Sequence, residues 1–156
     1  MSHKAILLLG GNLADRYRIL SQAGALVGER AGDILQSSSL YESEPWGFES
    51  KHQFLNQVLI IQTALEPADL MDRLLQIEND LGREPAAPGP GYSSRVIDID
   101  ILFYDDRIID RPDLKIPHPA LQNRRFTLEP LNEIAPDHIH PVFGKTIQQL
   151  LEACED

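Results

Sequence analysis

Hydrophobic and polar positions along this chain follow two different rhythms, and the switches between them outline its elements. Residues 5–9 form an unbroken apolar run, short enough to be a strand buried on both faces. Gly10-Gly11-Asn12 then reads as a turn. Over 15–27, Leu20, Ala23 and Val27 recur at helical spacing, and Gly28 and Gly32 bracket the end of the predicted helix. Residues 34–41 return to a strand pattern. Segment 42–53 holds Pro45, Gly47 and several polar residues and is expected to be a long loop. A third strand covers 54–65, with Val58, Ile60 and Ile61 at its middle. Pro67 is suited to the first position of a helix whose Leu70, Leu74, Ile77 and Leu81 share one face and which Gly82 closes.

Segment 84–94 contains three prolines and two glycines and fits no regular element. Loops of that length in a compact domain are generally functional or disordered. The next strand, 96–103, is rich in β-branched and aromatic residues. Asp105-Asp106 predicts a turn, with 107–109 pairing back as a short strand. Pro117-His118-Pro119 is rigid and irregular, 126–134 is a short helix, 139–143 a strand fragment and 146–152 a terminal helix. The order strand, helix, strand, strand, helix, strand predicts an α+β, ferredoxin-like βαββαβ unit: an antiparallel sheet with helices on one face, plus C-terminal additions. One domain is expected to span 1–156.

Composition narrows the function classes. The chain is 42% hydrophobic and 24% charged, as expected of a water-soluble globular protein, and no apolar run approaches the roughly 20 residues of a membrane span. Met1-Ser2-His3-Lys4 leads almost directly into a strand, so no signal peptide is visible, and the single Cys154 cannot form an internal disulfide. These features predict a cytoplasmic protein. The net charge of −10 argues against nucleic acid as a partner. Half of the 14 lysines and arginines nevertheless fall between Arg83 and Arg125, so a local positive patch fits an acidic chain.

The densest chemistry lies in Arg95-Val96-Ile97-Asp98-Ile99-Asp100-Ile101. Successive strand side chains alternate between faces, so Asp98 and Asp100 point one way and Ile97, Ile99 and Ile101 point the other. Two carboxylates side by side repel unless something positive lies between them, and magnesium suits hard oxygen ligands that it shares with substrate phosphates. Taken alone, Asp-x-Asp is more often a solvated strand face. Arg83 and Arg95 before it, and His118 and Arg124 after it, shift the balance toward a phosphate site.

Several short motifs recur in order: Leu9-Gly10-Gly11-Asn12-Leu13, Ser38-Ser39-Leu40-Tyr41, Phe54-Leu55-Asn56, Ile77-Glu78 with Gly82-Arg83, the aspartate strand, Pro117-His118, and Asn123-Arg124-Arg125-Phe126. Through them the chain resembles the 6-hydroxymethyl-7,8-dihydropterin pyrophosphokinases of folate biosynthesis over nearly its whole length. The resemblance implies transfer of pyrophosphate from ATP to the pterin hydroxymethyl group with release of AMP. It implies two Mg2+ ions on Asp98 and Asp100, with Arg83 and Arg95 joining those aspartates in catalysis and Asp100 nearer the attacking hydroxyl. Nucleotide contacts are implied for Glu78, Arg83, Tyr92, Arg95, Ile101, His118 and Arg124. A pterin pocket is implied for Ser43, Pro45, Trp46, Phe54, Asn56, Asp98 and Phe126, the two phenylalanines sandwiching the ring and the Asn56 amide pairing with its edge. The implied protein is a monomer that takes small-molecule substrates.

The chain departs from the family pattern at Tyr92, Ser93-Ser94, Pro119 and Leu75, and segment 84–94 carries no lysine or arginine. Two alternatives stay open at this stage. One is a diverged paralogue with another metal-dependent phosphotransfer activity, against which Phe54, Asn56 and Phe126 speak. The other is a non-catalytic binding protein on the same scaffold, against which the aspartate pair speaks.

Overall fold

The computed structural model describes residues 2–11, 16–43, 54–82 and 97–156, Arg16 by its backbone alone. The apolar run near the start becomes the central strand, β1 (His3–Gly11). It pairs antiparallel with β4 (Phe54–Thr63) on one side and β5 (Ile97–Tyr104) on the other. β2 (Asp33–Ser37) and β3 (Tyr41–Ser43) both lie along the outer edge of β4, and β5 forms the opposite edge. Helix α1 (Arg16–Arg30) connects β1 to β2, and α2 (Pro67–Asp80) connects β4 to β5. This is the expected ferredoxin-like arrangement.

A central strand that is apolar on both faces from Ala5 to Leu9 must be covered twice. Ala5, Leu7 and Leu9 pack under α1 and α2 with Leu20, Val27, Leu70, Leu74 and Ile77. Ile6 and Leu8 face a second core built with Leu128 and Leu131 of α3 (Arg125–Ile134) and Ile147 and Leu150 of α4 (Ile147–Ala153). The helices of the βαββαβ unit therefore share one face, and the C-terminal additions close the other. Gly82, at φ 119°, sits just past α2, where a left-handed residue stops the helix. A capping box between Thr146 and Gln149 starts α4. Among the described residues no helix is long and apolar enough to cross a membrane.

Four expectations need correction. The first strand continues through Gly10 and Gly11, where the sequence predicts a turn. The strand expected over 34–41 is broken between β2 and β3. At the break the Ser38 N–H still donates to the Val58 carbonyl, but the Ser38 Oγ accepts from the Val58 N–H at 2.9 Å and so takes the place of a ladder carbonyl. Residues 107–109 do not pair back on the aspartate strand. Instead β6 (Ile109–Arg111) forms a hairpin with β7 (Leu114–Ile116), anchored by burial of Leu114 and Ile116 in the first core. A cis bond joins Ile116 to Pro117. Segment 139–143 is a turn with one bridge, Ile139 to Thr146, because His140 Nδ1 accepts from the Val142 and Phe143 amides in place of a strand partner.

One irregularity sits in β5. Leu7 pairs with Ile101 but Ile6 pairs with Phe103, so Leu102 is an extra residue. Ile97, Ile99, Ile101 and Tyr104 enter the first core, while Leu102 and Phe103 both enter the second.

Candidate active site

Gly10 lies at the centre of the site. Asn56 of β4 and Asp98 of β5 both stand opposite it, and Tyr41 of β3 stands opposite Asn56. The row across the sheet is therefore Tyr41, Asn56, Gly10, Asp98. Two interstrand steps place Asn56 and Asp98 about 10 Å apart at their backbones. One row along, Asp100 stands opposite Leu8. Strand alternation puts Phe54, Asn56, Asp98 and Asp100 on the face that α3 covers. A side chain at Gly10 would stand between the amide and the first carboxylate, and its Cβ would come within 3.2 Å of Asn56 Oδ1. Glycine inside a strand commonly marks a close approach by another group. The sequence signal for this position is a glycine directly following an apolar strand run, a pattern that also fits a turn.

Asn56 is only 3% exposed and donates from Nδ2 to the Ser43 Oγ at 2.8 Å. That bond fixes the amide plane across β3 and β4. Ser43 also lines an open cleft of about 270 Å³ together with Tyr41, Phe126 of α3, Arg125 and Glu129. Phe126 is half-buried against the second core, and the Arg124 guanidinium lies 5.6 Å from its ring centroid. Ser43, Asn56 and Phe126 thus gather on one side of Gly10.

The aspartates gather on the other side, half-buried on the same face. Beneath them lies Glu78, near the end of α2 and 6% exposed. Its Oε2 accepts the Ile99 N–H at 2.7 Å, and Ile99 is the residue between the two aspartates. β5 is a sheet edge, so its outward amides need partners from elsewhere. Glu78 supplies one and fixes the backbone from which Asp98 and Asp100 project. Glu78 therefore acts on the strand backbone.

His118 follows the cis proline and is tied to β5 by its own N–H, which donates to the Leu102 carbonyl at 3.0 Å. The Ala120 N–H donates to His118 Nδ1 at 3.2 Å, so the neutral ring carries its proton on Nε2. Burial holds this imidazole below its usual range, the Asp100 charge pulls it upward and Arg124 pushes it down. His118, Asp100 and Arg124 therefore share one electrostatic neighbourhood. Ile101 does not join them through its side chain, which is 3% exposed in the first core. Any nucleotide contact it makes is through its backbone. Arg83, Tyr92, Arg95, Pro45 and Trp46 lie outside the described residues, as do segments 44–53 and 84–94.

The donor set suits a hard divalent cation: two carboxylates on one face, oxygen atoms only, with cationic and N–H donors alongside for an anionic partner. A polar amide and an aromatic ring on the far side of a bare strand position suit a flat heterocycle with a mixed donor and acceptor edge.

Residues 6–136 match the model of the family described as 7,8-dihydro-6-hydroxymethylpterin-pyrophosphokinase. A protein of Porphyromonas gingivalis called 2-amino-4-hydroxy-6-hydroxymethyldihydropteridine pyrophosphokinase is 43% identical over 136 residues, covering 86% of this chain and 92% of its own length. An Aquifex aeolicus protein of the same name is 39% identical over 141 residues, covering 90% of this chain and 86% of its own. The fold matches the crystal structure of wild-type Plasmodium falciparum HPPK-DHPS with a TM-score of 0.79 at 19% identity, over 98% of this chain and 45% of that larger one.

Proposed function

The chain belongs to the 7,8-dihydro-6-hydroxymethylpterin-pyrophosphokinase family, and on that premise we propose how its residues divide the work of moving pyrophosphate from ATP to 6-hydroxymethyl-7,8-dihydropterin in folate biosynthesis. Support comes above all from the row Asn56, Gly10, Asp98, which sets a heterocycle-reading amide and a metal-binding carboxylate at the two ends of an open floor. The pterin lies over Gly10 with its edge on Asn56, flanked by Phe54 and Phe126 and bounded by Ser43, Pro45 and Trp46. Its hydroxymethyl group points toward Asp98 and Asp100. Bound to these two aspartates, a pair of magnesium ions would neutralise phosphate charge and help align the reacting groups.

The remaining side chains position the triphosphate. His118 donates from Nε2–H, and Arg124, Arg83 and Arg95 offer guanidinium forks that stay charged. Asp100 is the carboxylate assigned to the attacking hydroxyl. That oxygen bonds to the β-phosphorus, and the oxygen bridging the α- and β-phosphorus leaves with AMP. Most of the catalytic effect is placement and charge stabilisation. Tyr92 and the backbone of Ile101 complete the nucleotide side, and Glu78 acts on it through the Ile99 backbone. The reading takes 1–156 as one pyrophosphokinase domain that works as a monomer in the cytoplasm.

With ATP, magnesium and the hydroxymethyl-dihydropterin, the protein is expected to form AMP in a one-to-one ratio with pterin diphosphate. ADP or free phosphate as the product would replace this reading with another phosphotransfer. Absence of both turnover and pterin binding would remove it. Gly10→Ala is expected to weaken pterin binding by about tenfold or more, because the added methyl group crowds the floor and Asn56, at a cost of roughly 1–3 kcal/mol. Affinity for an ATP analogue should stay within about twofold of wild type. Unchanged pterin affinity in a folded Gly10→Ala protein would show that the ring does not lie there.

A further inference from the structure

The Ser38-Ser39-Leu40-Tyr41 motif has no part in the scheme above, yet it meets the C-terminal layer at one carboxylate. Glu133 lies two helical turns after Phe126 on α3, so the two project from similar sides of the helix. Its oxygens accept the Ser39 N–H at 3.0 and 3.1 Å, and Oε2 also accepts the Ser39 hydroxyl at 3.1 Å. The Tyr41 hydroxyl donates to Oε1 at 2.7 Å. One side chain thus takes three donors, two from the break between β2 and β3 and one from the first residue of β3. The hydrogen bond to Glu133, with burial second, pushes the Tyr41 hydroxyl up to about 12. The same bond pulls Glu133 below the usual carboxylate range.

β3 is three residues long and pairs only with β4. It nevertheless carries Ser43, which orients Asn56. α3 carries Phe126 on the opposite wall of the cleft. We propose that Glu133 is a positioning residue for the pterin subsite: by tying α3 to Ser39 and Tyr41, it sets the gap between the Ser43 wall and the Phe126 wall. The inference rests on the pterin reading given above. Glu133 is solvent-exposed and belongs to neither wall, so its effect should be on ring binding and not on chemistry.

The test measures pterin dissociation constants by fluorescence, ATP-analogue affinity, kcat and melting temperature for the wild type, Glu133→Ala, Glu133→Gln and Tyr41→Phe. Glu133→Ala is expected to raise the pterin Kd and KM by about tenfold, the scale of one or two lost hydrogen bonds, with kcat and nucleotide affinity within about twofold. Glu133→Gln keeps an acceptor oxygen and should recover part of the loss. Tyr41→Phe removes one arm and should fall between, and it provides the measurement if Glu133→Ala does not fold. A purely structural role would lower the melting temperature and leave pterin Kd unchanged in the folded fraction, and that result overturns the proposal. So does an equal loss of nucleotide affinity. A wild-type protein that binds no pterin would sink the functional reading itself, and this inference with it.

Discussion

Asp98→Ala and Asp100→Ala are each expected to remove metal-dependent AMP formation, by about 10²–10³-fold or more, the scale seen when one preorganised contact to transition-state charge is lost. Both side chains leave one face of β5 and are half-buried, while the alternate residues Ile97, Ile99 and Ile101 hold the strand in the first core. The anchoring isoleucines and the two aspartates thus occupy opposite faces of one strand. Melting temperatures measured without metal should therefore stay within a few degrees of wild type, because neither substitution touches the isoleucines. Nucleotide turnover followed by AMP release, together with thermal melting, separates the two effects. If the variants unfold, or fold and still turn over at a rate near wild type, the aspartates are structural residues.

Glu78→Ala is expected to have the second-largest effect. Removing the carboxylate leaves the Ile99 N–H without its 2.7 Å acceptor at a buried edge, a loss of about 1–3 kcal/mol. The larger consequence is at the neighbours: Asp98 and Asp100 lose the backbone restraint that aims them. Loss of such an outer partner of metal ligands generally lowers affinity or activity by about 10–100-fold. The magnesium concentration for half-maximal rate should rise, and pterin affinity, which we assign to the far side of Gly10, should change little. Glu78→Gln retains an acceptor oxygen and should lie much closer to wild type than the alanine variant. A loss in Glu78→Ala confined to ATP affinity, with magnesium dependence untouched, would instead mark Glu78 as a direct nucleotide ligand.

Local signals carried the sequence reading a long way. The spacing of Leu70, Leu74, Ile77 and Leu81 predicts α2 almost to the residue, and alternation in 97–101 gives the aspartates their common face. Alternation also placed Ile101 toward the core, which is where its side chain lies. The failures are long-range. The break at Ser38 depends on a hydroxyl meeting the Val58 amide, 20 residues away in sequence. The tie from Glu133 to Ser39 spans 94 residues and leaves no periodic trace. Gly10 and Gly11 look like a turn in isolation and become strand because β4 and β5 pair with β1 on both sides. The hairpin of β6 and β7 leaves no local signal because its anchor is burial of Leu114 and Ile116 in a core assembled from elsewhere.

The extra residue in β5 lets Asp100 and Tyr104, four positions apart, face opposite ways. It puts the half bearing Asp98 and Asp100 out of phase with the half ending at Tyr104, and its carbonyl receives the His118 N–H. Without Leu102 the strand would alternate without interruption, and Asp98, Asp100 and Tyr104 would all keep their present faces. What the extra residue adds is local: two successive apolar side chains for the second core and a carbonyl for the His118 N–H. A codon lost at that position should therefore spare the acidic pair and the aromatic anchor and unseat the imidazole alone.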